Sequence, residues 1–337
     1  MATIKDIARL SGYSIGTVSR VINNHPDVSD TARKKISEII EQEQYLPNKN
    51  AKNLKQTVGT AIAVVISGHE NAFFASLVER IEEHLRAGGE EAAVFYLNEN
   101  ANSVQAAIGI AKERKPKGYI FLGGNLMDFN EDFKAIKVPC VMLTNHVDSG
   151  AIDNLSSFST DDWKAARRAV QYLLDHHHTK IGVIGGSTEL SQTSNRRVEA
   201  CFSLLKDNNI SFDVKKQYIG TRYSFEEGYR GAKVLLKQFP ELTAIFALSD
   251  TIAIGAMRAL ADSGKRVPED ISIIGYDGIK HGQYAVPRIA TIRQDIDVLA
   301  KRGVEDLLLR IHCKYEPVHE LIPFTFVEGE SVSEYHG

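Results

Sequence analysis

From Thr57 onward the chain alternates between two kinds of stretch, and few folds accept that alternation. TAIAVVIS, EAAVFYL, GYIFLGG and VPCVMLT are short apolar runs rich in β-branched residues. Between them lie stretches with helical spacing, such as FFASLVERIEEHLRAGG and NSVQAAIGIAKERK. A second series follows with KIGVIGG, QYIGT, TAIFALSD and SIIGYDG. Strand, helix and strand in succession make parallel pairs joined by crossovers, so each series predicts a parallel sheet covered on both faces. Two series predict two lobes. A ligand is expected in the crevice at the C-terminal strand ends.

The residues ahead of this alternation differ in charge. Nine Lys/Arg against six Asp/Glu make residues 1–57 basic, whereas the whole 337-residue chain carries a net charge of −3. With 43% hydrophobic residues the chain is long enough for two or three compact units. Cys140, Cys201 and Cys313 are far apart and have no CxxC spacing, which suggests neither a disulfide framework nor a thiolate zinc site. No apolar run approaches the roughly 20 residues that span a bilayer, and MATIKDIARL carries charges where a signal core would be apolar. A cytoplasmic protein without membrane association is expected.

Three short helices are predicted in the basic segment. Ile4, Ile7, Ala8 and Leu10 form an apolar stripe, Ser11-Gly12-Tyr13 supplies a turn, and Ser14 is a good N-cap for a second helix running through Asn23. Two short helices joined by a tight glycine-containing turn make a helix-turn-helix pattern. A third helix starts at the cap Ser29 and places Ala32, Ile36, Ile39 and Ile40 on one face. In the second helix Val18, Val21 and Ile22 fall on one side with Ile15, leaving Gly16, Thr17, Ser19, Arg20 and Asn23 outside. Short side chains allow close approach to a surface, Arg20 has the fork that reads a guanine edge, and Asn23 and the hydroxyls suit phosphates. An ordinary small bundle with a solvated polar face is the competing reading.

YLPNKNAKNLKQ adds Lys49, Lys52 and Lys55 without an acid, and Pro47 ends the preceding helix. The segment reads either as a flexible linker or as a short helix after Pro47 with Ala51 and Leu54 at i and i+3. Leu54, isolated among cations, suits a wedge for a minor groove and equally a docked linker residue.

Polar groups gather at the expected strand ends of the two series. Asp277 follows SIIGY, Ser249-Asp250 follows TAIFAL, and Asn195-Arg196-Arg197 follows KIGVIGG. Phe73-Phe74 follows the first strand, Tyr223 precedes a helix, and Asp161-Asp162-Trp163 stands near the junction of the two series. Carboxylate, guanidinium and aromatic groups together suit a polyol, with charges bridging vicinal hydroxyls and a ring covering the sugar's apolar face.

MATIKDIARLSGYSIGTVSRVINN, YLPNKNAKNL, FALSDTIAIGAMRAL, VPEDISIIGYDG, TIRQDI and IPFTFVEGESV together resemble the lactose/galactose repressor family of bacterial transcription regulators, across essentially the whole chain. The resemblance implies an all-α helix-turn-helix headpiece (residues 1–45), a hinge (46–57) and an α/β two-lobed core (58–337) similar to type I periplasmic sugar-binding proteins. The N-terminal lobe would hold about 58–159 and 291–321, and the C-terminal lobe about 160–290 and 322–337. It also implies a homodimer on a palindromic operator and a small-molecule effector, a sugar or sugar derivative. Ile15, Gly16 and Arg20 match base-reading positions, with Ser14, Thr17, Ser19, Asn23 and Tyr45 also in the DNA-binding set. Leu54 matches the hinge wedge, with Ala51 and Lys55 beside it. Phe73, Arg197, Tyr223, Ser249 and Asp277 match effector-pocket positions, as does Asp161 less closely.

The chain departs from the family at Ala200-Cys201, where Gly and an aromatic residue are usual, and at Gly278, which replaces a frequent acid. Leu122-Gly123-Gly124-Asn125 is a small strand end expected to widen the cleft. His176-His177-His178 resembles a metal tract but reads better as a solvated loop, because consecutive imidazoles cannot all converge on one ion. GxGxxG and a phosphate-loop ending are absent, so no nucleotide cofactor, other cofactor or metal is expected. The tail GESVSEYHG lacks leucine heptads, favouring a dimer over a tetramer. A stand-alone sugar-binding protein is opposed by residues 1–56, and a sugar-processing enzyme by the lack of a nucleophile and base set.

Overall fold

The computed structural model describes residues 4–22, 28–42, 61–68, 71–148, 150 and 152–336, with the backbone only at Ile4, Lys5, Ile15, Ser19, Ile22, Glu41 and Gln42. Asn23, Tyr45, Ala51, Leu54 and Lys55 lie outside the described residues. The chain divides into two compact units at Val58 and Gly59.

In the first unit α1 (Ile4–Ser11), α2 (Ile15–Ile22) and α3 (Asp30–Gln42) pack through Ile7, Val18, Val21 and Ile36, with Ala8 and Ala32 also buried. Gly12 takes φ +74°, a conformation that suits glycine, and turns α1 toward α2. The Ser14 hydroxyl accepts from the Thr17 N–H at 3.1 Å, and Ser29 caps α3 through the Ala32 N–H at 3.4 Å. Leu10 departs from its expected place: it is 48% exposed, and Ser11 is buried instead. Ser11 follows Ile7 by four residues and Ala8 by three, so it lies on their face, and its hydroxyl donates to the Ala8 carbonyl at 3.2 Å.

The second unit runs, in chain order, β1 (Ile62–Ser67), α4 (Ala72–Ala87), β2 (Ala92–Leu97), α5 (Ser103–Arg114), β3 (Gly118–Leu122), β4 (Cys140–Leu143), β5 (Leu155–Thr160), α6 (Asp162–Asp175), β6 (Ile181–Gly185), α7 (Gln192–Asp207), α8 (Val214–Gln217), β7 (Tyr218–Gly220), α9 (Phe225–Gln238), β8 (Ala244–Ala247), α10 (Asp250–Asp262), β9 (Ser272–Asp277), α11 (Lys280–Gln283), β10 (Ala290–Gln294), α12 (Ile296–His312), β11 (His319–Ile322) and β12 (Phe324–Val327). These strands make two six-stranded sheets, ordered β11-β5-β4-β3-β1-β2 and β12-β10-β9-β8-β6-β7. The first is parallel throughout, and in the second only β12 is antiparallel.

Each sheet forms one lobe, and the chain passes between lobes three times: after β5, after β10 and after β11. β10 lies wholly in the second sheet, beside β9, so the second passage follows Gln294 and not residue 290. α12 then returns to the first lobe, where Leu299, Ala300, Val304 and Leu307 pack with Ile62, Val64, Val141 and Leu143. α6, on the other side of the first passage, covers the second sheet through Ala165, Ala169, Val170 and Leu173.

The sequence pattern anticipates eight strands and misses four. β5, LSSFST, is buried along its whole length although four of its six residues carry hydroxyls. Ser156 Oγ accepts from the Val318 N–H at 3.0 Å, and Ser157 Oγ accepts from the Val147 N–H at 3.1 Å. Those bonds offset the desolvation of two of the hydroxyls and let a polar run occupy an interior strand.

Candidate functional site

In the headpiece, Ser14, Gly16 and Arg20 are exposed and Thr17 is half-buried, while Val18 and Val21 face the core. The outer face of α2 is therefore short-chained and carries one long cation. An added Cβ at Gly16 would meet only Ser14 Oγ, at 3.6 Å, so the backbone there is open to an approaching surface.

In the two-lobed unit a cleft of about 210 Å³ lies at the C-terminal strand ends. Ser67, Asn71, Phe73, Phe74, Gly123, Gly124 and Asn145 line it from the first lobe; Gly186, Ser191, Thr193, Arg197, Thr221, Tyr223, Asp277 and Gln294 line it from the second.

Asp277 ends β9 with φ +99° and is only 4% exposed. Its Oδ1 accepts from Gln294 Nε2 at 2.7 Å. Burial pushes its carboxyl up to about 7, opposed by Arg197 and the Gln294 amide and assisted by the charge of Asp162. The loop that follows is held by Asp250, a buried carboxylate that accepts from the Ile279 N–H at 2.8 Å and the Thr291 hydroxyl at 2.6 Å.

Arg197 sits on the first turns of α7, 4% exposed. Its Nε donates to Asp162 Oδ1 at 2.8 Å and its Nη1 to the Leu248 carbonyl at 2.8 Å. The guanidinium carbon stands 3.5 Å from the centre of the Tyr276 ring, whose hydroxyl donates to the same Asp162 oxygen at 2.7 Å. The guanidinium is thus fixed on three sides, and among the described residues its Nη2 makes no hydrogen bond. Tyr223 is fixed by a 2.7 Å hydroxyl contact with Ser194.

Hydrogen bonds join the lobes at the cleft, where Arg222 Nε also stands 3.7 Å from Glu99 Oε2. The His146 N–H donates to Gln192 Oε1 at 3.0 Å while Gln192 Nε2 donates to the His146 carbonyl at 2.9 Å. Thr160, ending β5, donates to Gln294 Oε1 at 2.7 Å.

Of the six expected effector residues, the structure brings Phe73, Arg197, Tyr223 and Asp277 to the cleft. Asp161 and Ser249 do not line it: each caps a helix, Asp161 accepting from the Lys164 N–H at 3.1 Å and Ser249 from the Ile252 N–H at 3.1 Å. Asp162, the neighbour of Asp161, is the group that positions Arg197. Gln294 and the amides Asn71 and Asn145 escape the sequence reading, since an isolated amide carries no spacing signal; Gln294 lies within TIRQDI.

The departures also have other settings than expected. Ala200 and Cys201 are core residues behind the wall, not cleft residues. Gly123 and Gly124 line the cleft, and an added Cβ there would meet the Phe74 ring at 3.0 Å and Ser103 Oγ at 2.8 Å respectively. At Gly278, with φ +71°, a Cβ would meet Arg293 Cβ at 2.5 Å, which explains why no acid stands there. The histidine run is a solvated loop only in part: His177 is exposed, but His178 is buried between Thr243 Oγ1 at 3.1 Å and the Ser333 carbonyl at 2.9 Å, and the Tyr335 N–H donates to the His176 carbonyl.

Residues 3–48 match the model for bacterial regulatory proteins of the lacI family, and residues 170–332 match that for a periplasmic binding protein-like domain. The HTH-type transcriptional regulator MalR of Clostridium butyricum is 37% identical over 331 residues, 97% of this chain and 98% of that one. The chain belongs to the lacI family of bacterial regulatory proteins. This lacI-family protein is also 32% identical to the ribose operon repressor of Haemophilus influenzae, over 96% of each chain. A crystal structure of a LacI family transcriptional regulator from Enterococcus faecium with bound ribose covers 82% of this chain and 99% of its own, at 28% identity and a TM-score of 0.70. The protein is a DNA-binding transcriptional regulator, not an enzyme. Among the described residues no helix is long and apolar enough to cross a membrane.

Proposed function

We propose that this regulator is a cytoplasmic repressor of a carbohydrate-utilisation operon, binding a palindromic operator as a homodimer and sensing a polyol between its lobes. The observation that carries the reading is the cleft: a fixed guanidinium, a buried carboxylate, an aromatic ring and several amides converge at strand ends contributed by both lobes. Such groups bond vicinal hydroxyls from two sides, so a bound polyol favours one lobe arrangement over another.

On the DNA side, Gly16 and Thr17 bring α2 close to the major groove and Arg20 reads a base edge, with Ser14, Ile15, Ser19 and Asn23 as further DNA contacts. Tyr45, Ala51, Leu54 and Lys55 form the minor-groove contact, with Leu54 as wedge. Effector and operator are coupled, so the factor by which one changes the other's affinity is the same in both directions.

Titrating labelled operator with the full chain, with and without maltose, cellobiose or ribose at saturating concentration, tests this directly. One sugar is expected to change operator affinity about 5- to 150-fold, the usual range of such coupling. Unchanged affinity across a broad polyol panel, in a protein that binds its operator, would remove the effector reading.

A further inference from the structure

The three passages between the lobes cross at one level. Thr160 is the last residue of β5 and Gln294 the last of β10. Thr160 pairs with Ile322, the end of β11, and Gln294 pairs with Phe324, the start of β12, so that only Pro323 separates the two pairs. The Thr160 hydroxyl, from the first lobe, donates to Gln294 Oε1 at 2.7 Å, and Gln294 Nε2 donates onward to Asp277 Oδ1 at 2.7 Å. All three residues are buried.

The chemistry of the three groups fixes the direction of this chain of bonds. An ionised carboxylate can only accept, so the amide turns its nitrogen to Asp277 and its oxygen to Thr160. Among the described residues Thr160 is then the one donor to Oε1, and burial makes an oxygen without a donor costly. Asp277 lines the cleft, and among the described residues its Oδ2 makes no hydrogen bond.

Resting on the reading of this cleft as the effector site, we infer that Thr160 is a positioning residue for it, whose hydroxyl holds the Gln294 amide so that Asp277 meets a ligand as an acceptor. A residue of the first lobe thereby sets what the acid of the second lobe offers to a ligand hydroxyl. The Gln294 amide is one of the groups that hold the Asp277 carboxyl down against the effect of burial. Without the Thr160 hydroxyl, Oε1 either stays buried with no donor or turns to Asp277 and accepts from its protonated form. Both outcomes disfavour the carboxylate.

The test compares wild type with Thr160→Val, which keeps the shape and loses the hydroxyl, and with Thr160→Ser, which keeps the hydroxyl. In each full-length, ligand-free chain the carboxyl carbon of Asp277, assigned by its loss in Asp277→Asn, is titrated by carbon-13 NMR. The Thr160→Val midpoint is expected to rise by about one pH unit, a tenfold change in ionisation constant, while Thr160→Ser stays with wild type. Calorimetric titration with a polyol panel containing maltose, cellobiose and ribose follows. For the member that binds, affinity at pH 7 is expected to be about fivefold lower in Thr160→Val, a gap that closes by about pH 9.5 as the carboxylate forms in both proteins. A gap of the same size at every pH marks a general packing defect and overturns the inference, as does an Asp277 midpoint unmoved in Thr160→Val or raised equally in Thr160→Ser. A midpoint raised in Thr160→Val alone, in a chain whose wild type binds no member of the panel, upholds the link from Thr160 to Asp277 and overturns the effector reading instead.

Discussion

Asp277 is a largely buried carboxyl on the cleft wall, and its proton therefore reports on the state of the cleft. Its value of about 7 lies above the ordinary 3.8, so the folded protein favours the neutral form. Whatever stability that preference contributes is full below about pH 4 and is lost as pH rises through 7. Chemical denaturation of the ligand-free chain is expected to show falling stability between pH 5 and 8, with a shallower fall in Asp277→Asn. Parallel curves would mean that Asp277 does not titrate in that window. Asp250 and Asp306 are raised in the same direction by burial, so only the difference between the two proteins isolates Asp277. A polyol that donates hydroxyls to the ionised carboxylate is expected to bind more tightly as pH rises through 7. Arg197 makes a different kind of contribution. Arg197→Ala leaves Asp162 buried with its charge unmatched, and a loss of about 3–5 kcal/mol is expected from denaturant unfolding. Adding Asp162→Ala should recover part of it, because the two positions share one interaction.

At the scale of elements, α2 separates two tasks along one helix. Ser14→Ala removes the cap at its start and is expected to cost about 1 kcal/mol of headpiece stability, read from the headpiece's own melting transition. Arg20→Ala should leave melting unchanged, weaken operator binding by about 1–3 kcal/mol, and relax preference at one base position per half-site. A loss uniform across operator variants would make Arg20 a phosphate contact. Leu54→Ala is expected to weaken operator binding while leaving effector affinity intact; equal operator affinity would reject the wedge. Much of this was legible in the sequence, because helical period, cap and turn residues are local signals. Eight strands were legible for the same reason: both of their faces are apolar. β5 was hidden by its serines, whose partners Val147 and Val318 lie elsewhere in the chain. The choice between Asp161 and Asp162 was hidden too, since one caps α6 and the other turns inward to Arg197, and only the helix phase distinguishes them. Leu10 and Ser11 exchanged places on the same ground.

For the molecule as a whole, the reciprocal pair between Gln192 and His146 joins the lobes beside the ligand site. Gln192→Ala removes two hydrogen bonds worth about 1 kcal/mol each, and small-angle scattering of the ligand-free core is expected to shift toward a more open form, with weaker sugar binding in proportion. An unchanged scattering curve would show that the pair does not hold the lobes together. The three passages between lobes bear on how the protein is made. Neither lobe is continuous in the chain: the first sheet waits for α12 and β11, and the second for β12. A ribosome that has translated 290 residues has released a headpiece whose three helices are complete, but no finished lobe. The faces of Ile62, Val64, Val141 and Leu143 that α12 will cover stay open to chaperones until the last tenth or so of synthesis. A premature stop late in the gene therefore yields a reader of DNA joined to an unfinished sensor, a polypeptide that quality-control proteases should remove far faster than the intact repressor.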